Sequence, residues 1–223
     1  MEIKTHYLTN TLPHILPIGA TFFITFRLHD SLPKNSLDKF KESRDRRISE
    51  LKQRQPEGFA DLIRIEQKKY FKLFDEALEK ENQGPTWLKQ QAIAAEIIKQ
   101  MKKYDGEWYD LLAYCVMSNH VHFVIDTRTQ LGDSPADYEV FLANYVQVDK
   151  IMKRIKGASA RYSNLILNRT GQSFWQRDYF DYYIRNQKEL ERIINYVLNN
   201  PVKAGIVKNW RDYPFTYVKQ LDG

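Results

Sequence analysis

Runs of apolar residues broken by polar turns predict several strands in this chain. One run, rich in β-branched and aromatic residues, covers 21–27 and follows Pro17 and Gly19. Two more runs, 111–117 and 120–125, are separated by only a short polar turn. Such runs, bounded by turn residues, are typical of strands, and a short turn between two of them favours a hairpin. The pattern therefore predicts a strand near the start of the chain and an antiparallel pair near its middle.

Helical spacing of apolar residues is visible in the charge-dense segments that lie between these runs. It covers 59–78 and 87–101, where it predicts two or three helices, and returns over 138–168. An aromatic stretch at 174–184 then predicts one more strand. Strands that alternate with helices around a hairpin favour an α+β fold over a doubly wound parallel sheet.

The best-marked helix is predicted over 186–201. Asn186 is a suitable N-cap, Glu189 follows three residues later, and Pro201 provides a stop signal. Its apolar stripe, which buries such a helix against a sheet, consists of Leu190, Ile193, Ile194, Val197 and Leu198. Tyr196 and Asn200 are four residues apart, so both lie on one edge of the helix beside that stripe. A phenol and a carboxamide would thus be presented together at the sheet surface.

Two histidines in the second strand of the hairpin are candidate metal ligands. Successive side chains of a strand point to opposite faces, so His120 and His122 project to the same side, about 7 Å apart along the chain. Two imidazoles on one face can converge on a single divalent ion, although a third protein group is needed to complete a site. The alternative is that this His-x-His pair is only structural.

Composition places the chain among reduced, non-membrane proteins. Its 223 residues suit one domain, or one domain that carries an insertion. The single cysteine, Cys115, excludes an intramolecular disulfide and is typical of a small buried hydrophobe. There is no signal peptide, and no apolar run approaches membrane-spanning length. We therefore expect a cytoplasmic protein without membrane partners.

Positive charge is concentrated in the segment that contains the last predicted helix. The whole chain has a net charge of +6. Residues 146–211 hold 13 Lys or Arg and 5 Asp or Glu, a net charge of +8, so the rest of the chain carries −2. Cations follow phosphates and aromatic rings stack on unpaired bases, so basic residues interleaved with aromatic ones suit single-stranded DNA. The alternative is a solvated helix face beside an aromatic core.

Three blocks of sequence together resemble a known family. They read MSNHVHFVI at 117–125, FWQRDYFDYYIR at 174–185 and YVLNNPVKAGIV at 196–207. In this order they resemble the REP-associated tyrosine transposases, which are single-tyrosine members of the HUH nuclease superfamily. The stretch 14–27 is similar to the opening strand of one branch. With the stretches between the blocks, the resemblance spans a little under half of the chain.

This resemblance implies a ferredoxin-like antiparallel sheet with helices on one face, inside a single domain 1–223 with a mainly helical insertion over 35–105. It implies that His120, His122 and Asn200 bind a divalent metal, Mg²⁺ or Mn²⁺, and that Tyr196 is the nucleophile. The implied activity is transposase-type cleavage of single-stranded DNA at hairpin or palindromic repeats, through a 5′-phosphotyrosine intermediate and with a free 3′-OH.

The residues expected to contact DNA are basic residues of the helix predicted over 138–168 and residues of the motif blocks or beside them. They are Lys150, Lys153, Arg154, Lys156, Arg161, Trp175, Gln176, Arg177, Arg185 and Lys203. Because phosphate contacts position a protein without reading sequence, these residues predict strongly salt-dependent binding.

The chain departs from the family pattern at two positions, and several residues have competing interpretations. Ser118 replaces a proline, and Tyr182 stands where many relatives carry a histidine, so no catalytic role is assigned to Tyr182. Tyr182, together with Tyr179 and Tyr183, is a rival nucleophile, although this stretch also reads as packing on the core. Asn200 has the alternative role of capping the helix before the proline.

Two other functions remain open on the sequence. One is a DNA- or RNA-binding regulator that kept the scaffold and lost the chemistry, and the other is a metal-dependent phosphodiesterase that attacks with water. The first is disfavoured because both histidines, Tyr196 and Asn200 are all present. A homodimer is also compatible with the sequence.

Overall fold

The computed structural model describes residues 6–8, 14–80, 84–131 and 143–220. The chain divides into two compact units, one formed by residues 1–28 and 87–223 and the other by residues 29–86. The first unit contains the sheet that the apolar runs predict, and the second is mainly helical. Part of the helix predicted over 138–168 lies outside the described residues.

The first unit is built around a five-stranded antiparallel sheet. A separate pair of short strands, β1 (His6–Leu8) and β2 (His14–Leu16), precedes it. The five strands of the main sheet are β3 (Thr21–Arg27), β4 (Asp110–Val116), β5 (His120–Asp126), β6 (Phe180–Ile184) and β7 (Thr216–Val218). Their order across the sheet is β6-β3-β5-β4-β7. The predicted hairpin is therefore β4 and β5, joined by the turn before His120.

Helix α3 (Gln91–Lys102) follows β3, and helix α4 (Val148–Ile166) follows β5. Within the first unit the chain runs β3-α3-β4-β5-α4-β6. Its four strands lie side by side in the order β6-β3-β5-β4, which is the fourth, first, third and second strand along the chain. This is the ferredoxin-like arrangement, with β7 added at the edge beside β4. The predicted α+β class and antiparallel sheet are confirmed.

One face of the sheet carries the main hydrophobic core. Phe22, Ile24 and Phe26 of β3 alternate with residues that face the other side, and β5 contributes Val121 and Phe123 in the same way. Apolar residues of α3 and α4 cover this face. Burial of aromatic and aliphatic side chains, each stabilising by about 1.5–3 kcal/mol, holds these two helices to the sheet.

The opposite face of the sheet is covered by helix α5 (Gln187–Lys203). Its predicted stripe is buried at Leu190, Ile194, Val197 and Leu198, and half-buried at Ile193. The expectation of helices on one face only was wrong, because this second apolar stripe covers the face that the histidines share. The predicted stop at Pro201 was also wrong by two residues, since a proline removes only its own donor and the next residues still close the last turn.

The second unit contains two long helices, α1 (Lys34–Arg54) and α2 (Phe59–Lys80). Gln55 closes α1 in the left-handed conformation, with its N–H donating to Leu51 O at 2.9 Å. The insertion boundaries 35–105 stay a prediction. Within them, α3 belongs to the first unit, where it packs beside α4.

None of the helices in the described part of the chain is long and apolar enough to cross a membrane.

Candidate active site

The two histidines of β5 converge on the sheet face that lies under α5. His120 and His122 alternate with Val121 and Phe123, which enter the core on the other side. Both rings are buried, and their Nε2 atoms lie 3.2 Å apart. Two nitrogens at about 2.0–2.2 Å from one ion are separated by roughly 3.0–3.5 Å at octahedral or tetrahedral angles. The pair therefore has the spacing of two ligands that share one cation.

Each ring is held by a partner at its other nitrogen. His120 Nδ1 lies 2.7 Å from Asn119 Oδ1, and His122 Nδ1 lies 2.9 Å from Thr25 Oγ1. Thr25 stands directly opposite His122 in the pairing of β3 with β5. Such partners fix the orientation of metal-binding imidazoles, so both Nε2 atoms are directed into one space.

Burial keeps the His122 ring neutral. The pKa of His122 is lowered to about 3, mainly because the ring is removed from water, with a smaller contribution from the positive charge of Lys203. The side chain of Asn200 acts in the opposite direction and favours the protonated ring. At neutral pH His122 is therefore uncharged, which is the state that a metal-binding imidazole requires.

Asn200 brings an amide oxygen from α5 to the same place. Its side chain is fully buried, and its Nδ2 donates to Tyr196 O at 3.1 Å. Its Oδ1 is buried and receives no hydrogen bond of good geometry within the described residues, although the amide lies close enough to His122 to favour the protonated ring. A buried amide oxygen without a donor fits a site that takes a cation, because leaving such a group unsatisfied costs about 1–3 kcal/mol. The helix continues to Lys203, so Asn200 is not its C-terminal cap.

Tyr196 lies one turn before Asn200, at the border between the site and solvent. Its ring centroid is 5.5 Å from that of His122 and 6.0 Å from that of Phe23 on β3. Phe23 also stacks on His122, at 5.6 Å. The tyrosine is half-buried, so its ring is fixed by packing while part of it remains accessible.

The three rival tyrosines occupy other environments. Tyr183 lies opposite Phe22 in the strand pairing, on the core face of the sheet. Tyr182 is buried, and its hydroxyl donates to Glu189 Oε1 at 2.7 Å. Burial raises the pKa of Tyr179 well above the ordinary value, with nearby carboxylates adding to the effect.

The start of α5 is fixed by the side chain of its N-cap residue, Asn186. Asn186 Oδ1 accepts a hydrogen bond from Glu189 N at 2.9 Å, as the sequence predicts. The Glu189 carboxylate turns inward instead of outward, where it accepts from Tyr182 of β6 and from Arg185 N. The helix that carries Tyr196 is therefore tied to the edge strand of the sheet.

The residues predicted to contact DNA divide into exposed and buried ones. Those with exposed side chains are Lys150, Lys153, Arg154, Arg161, Arg177, Arg185 and Lys203. Lys153 and Arg177 border a groove of about 460 Å³ between α4 and the segment 172–179. The side chains at these positions are accessible to a phosphate backbone.

Three of the predicted DNA contacts are engaged inside the protein. Trp175 is buried, donates from Nε1 to Ser159 Oγ at 2.9 Å, and meets Phe26 edge to face. Lys156 Nζ donates to the carbonyl oxygens of Gln176 and Arg177 at 2.8 and 2.7 Å. Burial lowers the pKa of Lys156 to about 8. Gln176 is half-buried beside β3, its N–H bonded to Arg27 O.

Sequence reasoning missed Thr25, Asn119 and Phe23 as parts of the site. Thr25 and Phe23 sit in a strand that the sequence predicts, but no motif marks them. Only the register of β3 against β5 shows that they face the histidines, and a one-residue shift would turn them away. Asn119 lies inside the first of the three motif blocks, but residue spacing alone does not predict that its side chain contacts the next ring.

Comparison with known proteins supports the resemblance seen in the sequence. No protein-family model matches the chain. A Haemophilus influenzae protein assigned as a REP-associated tyrosine transposase is 23% identical over 108 residues, which are 48% of this chain and 58% of the relative. The match thus spans less than two thirds of the relative's length. A solved structure of a REP-associated tyrosine transposase bound to a REP hairpin aligns over 93% of this chain and 82% of its own, with 17% identity and a TM-score of 0.46. The predicted resemblance is confirmed by the curated relative.

Proposed function

We propose that this relative of the REP-associated tyrosine transposases is a metal-dependent enzyme that cleaves and rejoins single-stranded DNA at repeat hairpins. The proposal rests on one observation: strand β5 and helix α5 bring their candidate functional side chains to the same face of the sheet. The Nε2 atoms of His120 and His122 lie 3.2 Å apart on β5, and α5 brings Tyr196 to the same sheet face. A nucleophile beside a pair of convergent imidazoles is the minimum that tyrosine-based phosphoryl transfer needs.

His120, His122 and Asn200 would hold the metal. Two neutral imidazoles and a buried amide oxygen suit a divalent cation, and Mg²⁺ or Mn²⁺ is the functional choice that the resemblance implies. A divalent ion bound there supplies positive charge for the non-bridging oxygens of the scissile phosphate and so stabilises the transition state.

Tyr196 is the nucleophile. Its hydroxyl oxygen forms a bond to phosphorus while the bond from phosphorus to the 3′ oxygen breaks. The phenol loses its proton and the leaving 3′ oxygen gains one, so the products are a 5′-phosphotyrosine and a 3′-OH. The same tyrosine oxygen is displaced when a 3′-OH attacks in reverse, which rejoins strands without a nucleotide cofactor.

Packing fixes the tyrosine for this attack. Phe23 contacts the Tyr196 ring edge to face and stacks on His122, so the nucleophile and one proposed ligand share a common wall. Holding reacting groups in one geometry removes much of the entropic cost of bringing them together.

The proposed DNA path runs over the exposed cations of α4 and of the segment that follows it. Lys153 and Arg177 at the groove, with Arg185 after β6 and Lys203 at the end of α5, offer positive charge to the backbone. Trp175 is not part of this path, because its ring is buried in the core. The proposed partner is a hairpin with an unpaired flank, which can reach the tyrosine as a single strand.

The decisive experiment looks for a covalent adduct. Labelled hairpin DNA is incubated with the protein and Mn²⁺, and a denaturant-stable protein–DNA complex is mapped to its tyrosine. Tyr196→Phe should reduce the adduct to background while hairpin binding stays within about twofold, because only the hydroxyl is removed and the ring still packs. Tyr183→Phe is the matched control, since it removes a hydroxyl from the core face of the same sheet.

His120→Ala should also lose the adduct, and it should lose metal binding with it. An adduct that maps to Tyr179, Tyr182 or Tyr183 would refute Tyr196 as nucleophile. Clean cleavage without any adduct would favour the phosphodiesterase that attacks with water. Binding without cleavage in Mg²⁺ and Mn²⁺ would favour the regulator.

A further inference from the structure

The groove between α4 and the segment 172–179 has the size and the walls of a binding pocket. Its volume is about 460 Å³, which is within the range of roughly 300–1,000 Å³ for pockets that hold small ligands. Met152 of α4 lines one wall, and Phe174 and Tyr179 line the other. The groove therefore offers apolar surface to a flat group that enters between the two walls.

Two hydrogen-bonded links hold these walls at a fixed distance. Lys156 Nζ donates to the carbonyl oxygens of Gln176 and Arg177 at 2.8 and 2.7 Å. Trp175 Nε1 donates to Ser159 Oγ at 2.9 Å. Each link joins helix α4 to the segment that faces it, so the groove is already formed in the free protein. A preformed pocket avoids the entropic cost of ordering its walls when a ligand binds.

Gly157 keeps the groove open on the side of the helix. It lies in the interior of α4 and lines the groove, and a Cβ atom added there would meet no atom within 4 Å. Glycine destabilises a helix interior relative to alanine, so its presence in α4 has a cost to the fold. The space beside it is available to a ligand, and a larger side chain at this position would occupy that space.

Asp149 adds a hydrogen-bond acceptor to the lining of the groove. Its Oδ1 is buried and receives no hydrogen bond within the described residues. A buried acceptor without a donor is unfavourable, and an N–H group of a ligand would satisfy it. Lys153 and Arg177 are exposed at the border of the same groove. The groove thus combines apolar walls and an acceptor inside with positive charge outside.

We propose that this groove binds one unpaired, amine-bearing base of the single-stranded flank, whose amine donates to Asp149 and whose phosphates lie beside Lys153 and Arg177. Apolar walls take the faces of an unpaired base, a carboxylate accepts from the exocyclic amine of cytosine, and cations follow the phosphates. The inference rests on the proposed function, because it takes the ligand to be single-stranded DNA, and it adds a base preference to that function. Uracil and thymine, which have no exocyclic amine, are the disfavoured bases.

The first test locates the bound base. Hairpin DNA carries one abasic nucleotide, placed in turn at each position of the unpaired flank, and the affinity of the full-length protein is measured by fluorescence anisotropy. An abasic nucleotide keeps its phosphate and loses only the base. We expect a loss of about 5- to 100-fold at one position, the range that a single stacked base contributes. Equal affinities along the whole flank would overturn the inference.

Gly157→Leu tests whether that base lies in the groove. The variant should bind the intact hairpin as weakly as the wild-type protein binds the sensitive abasic one, and the abasic change should then cause no further loss. Leucine is a better helix former than glycine, so urea unfolding should show no loss of stability. Ala158→Leu, which adds the same side chain at a residue that does not line the groove, should keep the wild-type pattern. A full abasic effect in Gly157→Leu would place the base elsewhere and overturn the inference.

The second test measures base preference at the sensitive position. Cytosine and uracil have nearly the same shape, but uracil carries a carbonyl where cytosine has an amine. The wild-type protein should bind the cytosine hairpin about tenfold more tightly, whereas Asp149→Ala should bind both equally. A ratio measured within one variant does not depend on its stability, so a purely structural role of Asp149 would leave it unchanged. No preference in the wild-type protein, or an unchanged ratio in Asp149→Ala, would overturn the role of Asp149.

The outcomes separate this inference from the proposed function. If the wild-type protein forms the Tyr196 adduct but no flank position responds to Gly157→Leu, the groove does not bind a base while the proposed enzyme stands. If one base is held in the groove but no adduct forms, the groove stands and the proposed chemistry fails. If the wild-type protein binds no hairpin DNA, both fail.

Discussion

His122 shows how a single buried residue can couple the site to the stability of the fold. Its ring stacks on Phe23, faces Tyr196 and lies in the central part of the sheet, so protonation would place a charge where little water can reach it. Burial favours the uncharged form of a histidine and so lowers its pKa, as it does for His122.

The metal-free protein should therefore lose stability in acid. The pKa of His122 falls from about 6.5 in the unfolded chain to about 3 in the fold, so below pH 6.5 the unfolded state binds the extra proton. Above pH 6.5 this proton uptake does not lower the free energy of unfolding. As the pH falls from 6.5 toward 3, the free energy of unfolding decreases by up to about 1.4 kcal/mol per pH unit. Urea unfolding in chelator at several pH values measures this.

The comparison variant is His122→Gln, whose pH curve should be flatter than that of the wild-type protein over the same window. Equal pH slopes for the wild-type protein and His122→Gln would contradict a buried neutral ring.

At this scale the sequence predicts the groups that carry chemistry better than those that support them. His120, His122, Tyr196 and Asn200 are marked by spacing and by the motif blocks, and the structure brings them together. Thr25 could not be found in this way, because its contact depends on a strand register set by residues 97 positions away. The structure buries Trp175 against Phe26, and an aromatic residue between cations has the same sequence pattern whether it stacks on a base or on the core.

The helix that carries the nucleophile depends on its first turn. The side chain of Asn186 satisfies the N–H of Glu189, and the Glu189 carboxylate in turn holds β6 through Tyr182. Sequence spacing predicts the cap, the apolar stripe and the start of this helix. It cannot show that Glu189 turns toward the sheet, since a capping box normally directs that side chain back to the cap.

Asn186→Ala should destabilise the protein by about 1 kcal/mol, the usual cost of removing an N-cap. Asn199→Ala, on the exposed side of the same helix, removes only a bond to Asn195 O and should change the free energy of unfolding by less than about 0.5 kcal/mol. Denaturant titration of both variants checks the difference, and equal losses would argue against the cap.

Helix placement around the sheet was the part of the fold that periodicity left undetermined. An amphipathic stripe shows that α5 is buried, but it does not show which face of the sheet receives it. The second face of β3 carries Thr21, Thr25 and Arg27, a polar set that normally indicates a solvent-facing side, yet all three are buried. The resemblance to a family placed the helices on one face, and the structure uses both.

Over the whole molecule, positive charge is concentrated in the segment that also carries the proposed nucleophile Tyr196. The segment 146–211 carries a net charge of +8 and contains α4, β6 and α5, while the remainder is slightly acidic. Such asymmetry directs a polyanion toward one part of a protein, and its effect weakens as salt screens it.

DNA affinity should fall steeply with salt, and two lysines of α4 should respond differently. Lys153→Gln should lower the slope of log affinity against log salt by about 0.7–0.9, because one phosphate contact is lost. Lys156→Gln should leave the slope nearly unchanged. It should instead destabilise the fold by about 1–3 kcal/mol, because its ammonium bonds two carbonyls within the protein.

Hairpin titrations at several salt concentrations, together with urea unfolding of both variants, separate the two effects. The reverse result, in which Lys156→Gln changes the salt slope and Lys153→Gln changes stability, would show that Lys156 leaves its carbonyls to meet DNA. Affinity that does not depend on salt would contradict the proposed DNA path as a whole.

Because α5 supplies both Tyr196 and Asn200, the order in which the ribosome makes this protein also decides when it can act. A nascent chain that has emerged only as far as β5 already holds the imidazole pair, yet it has neither the phenol nor the amide oxygen. The proposed nucleophile is synthesised after β3 to β6, the main core and helix α4. If Tyr196 is the nucleophile, a chain that stops before α5 cannot nick the DNA around it.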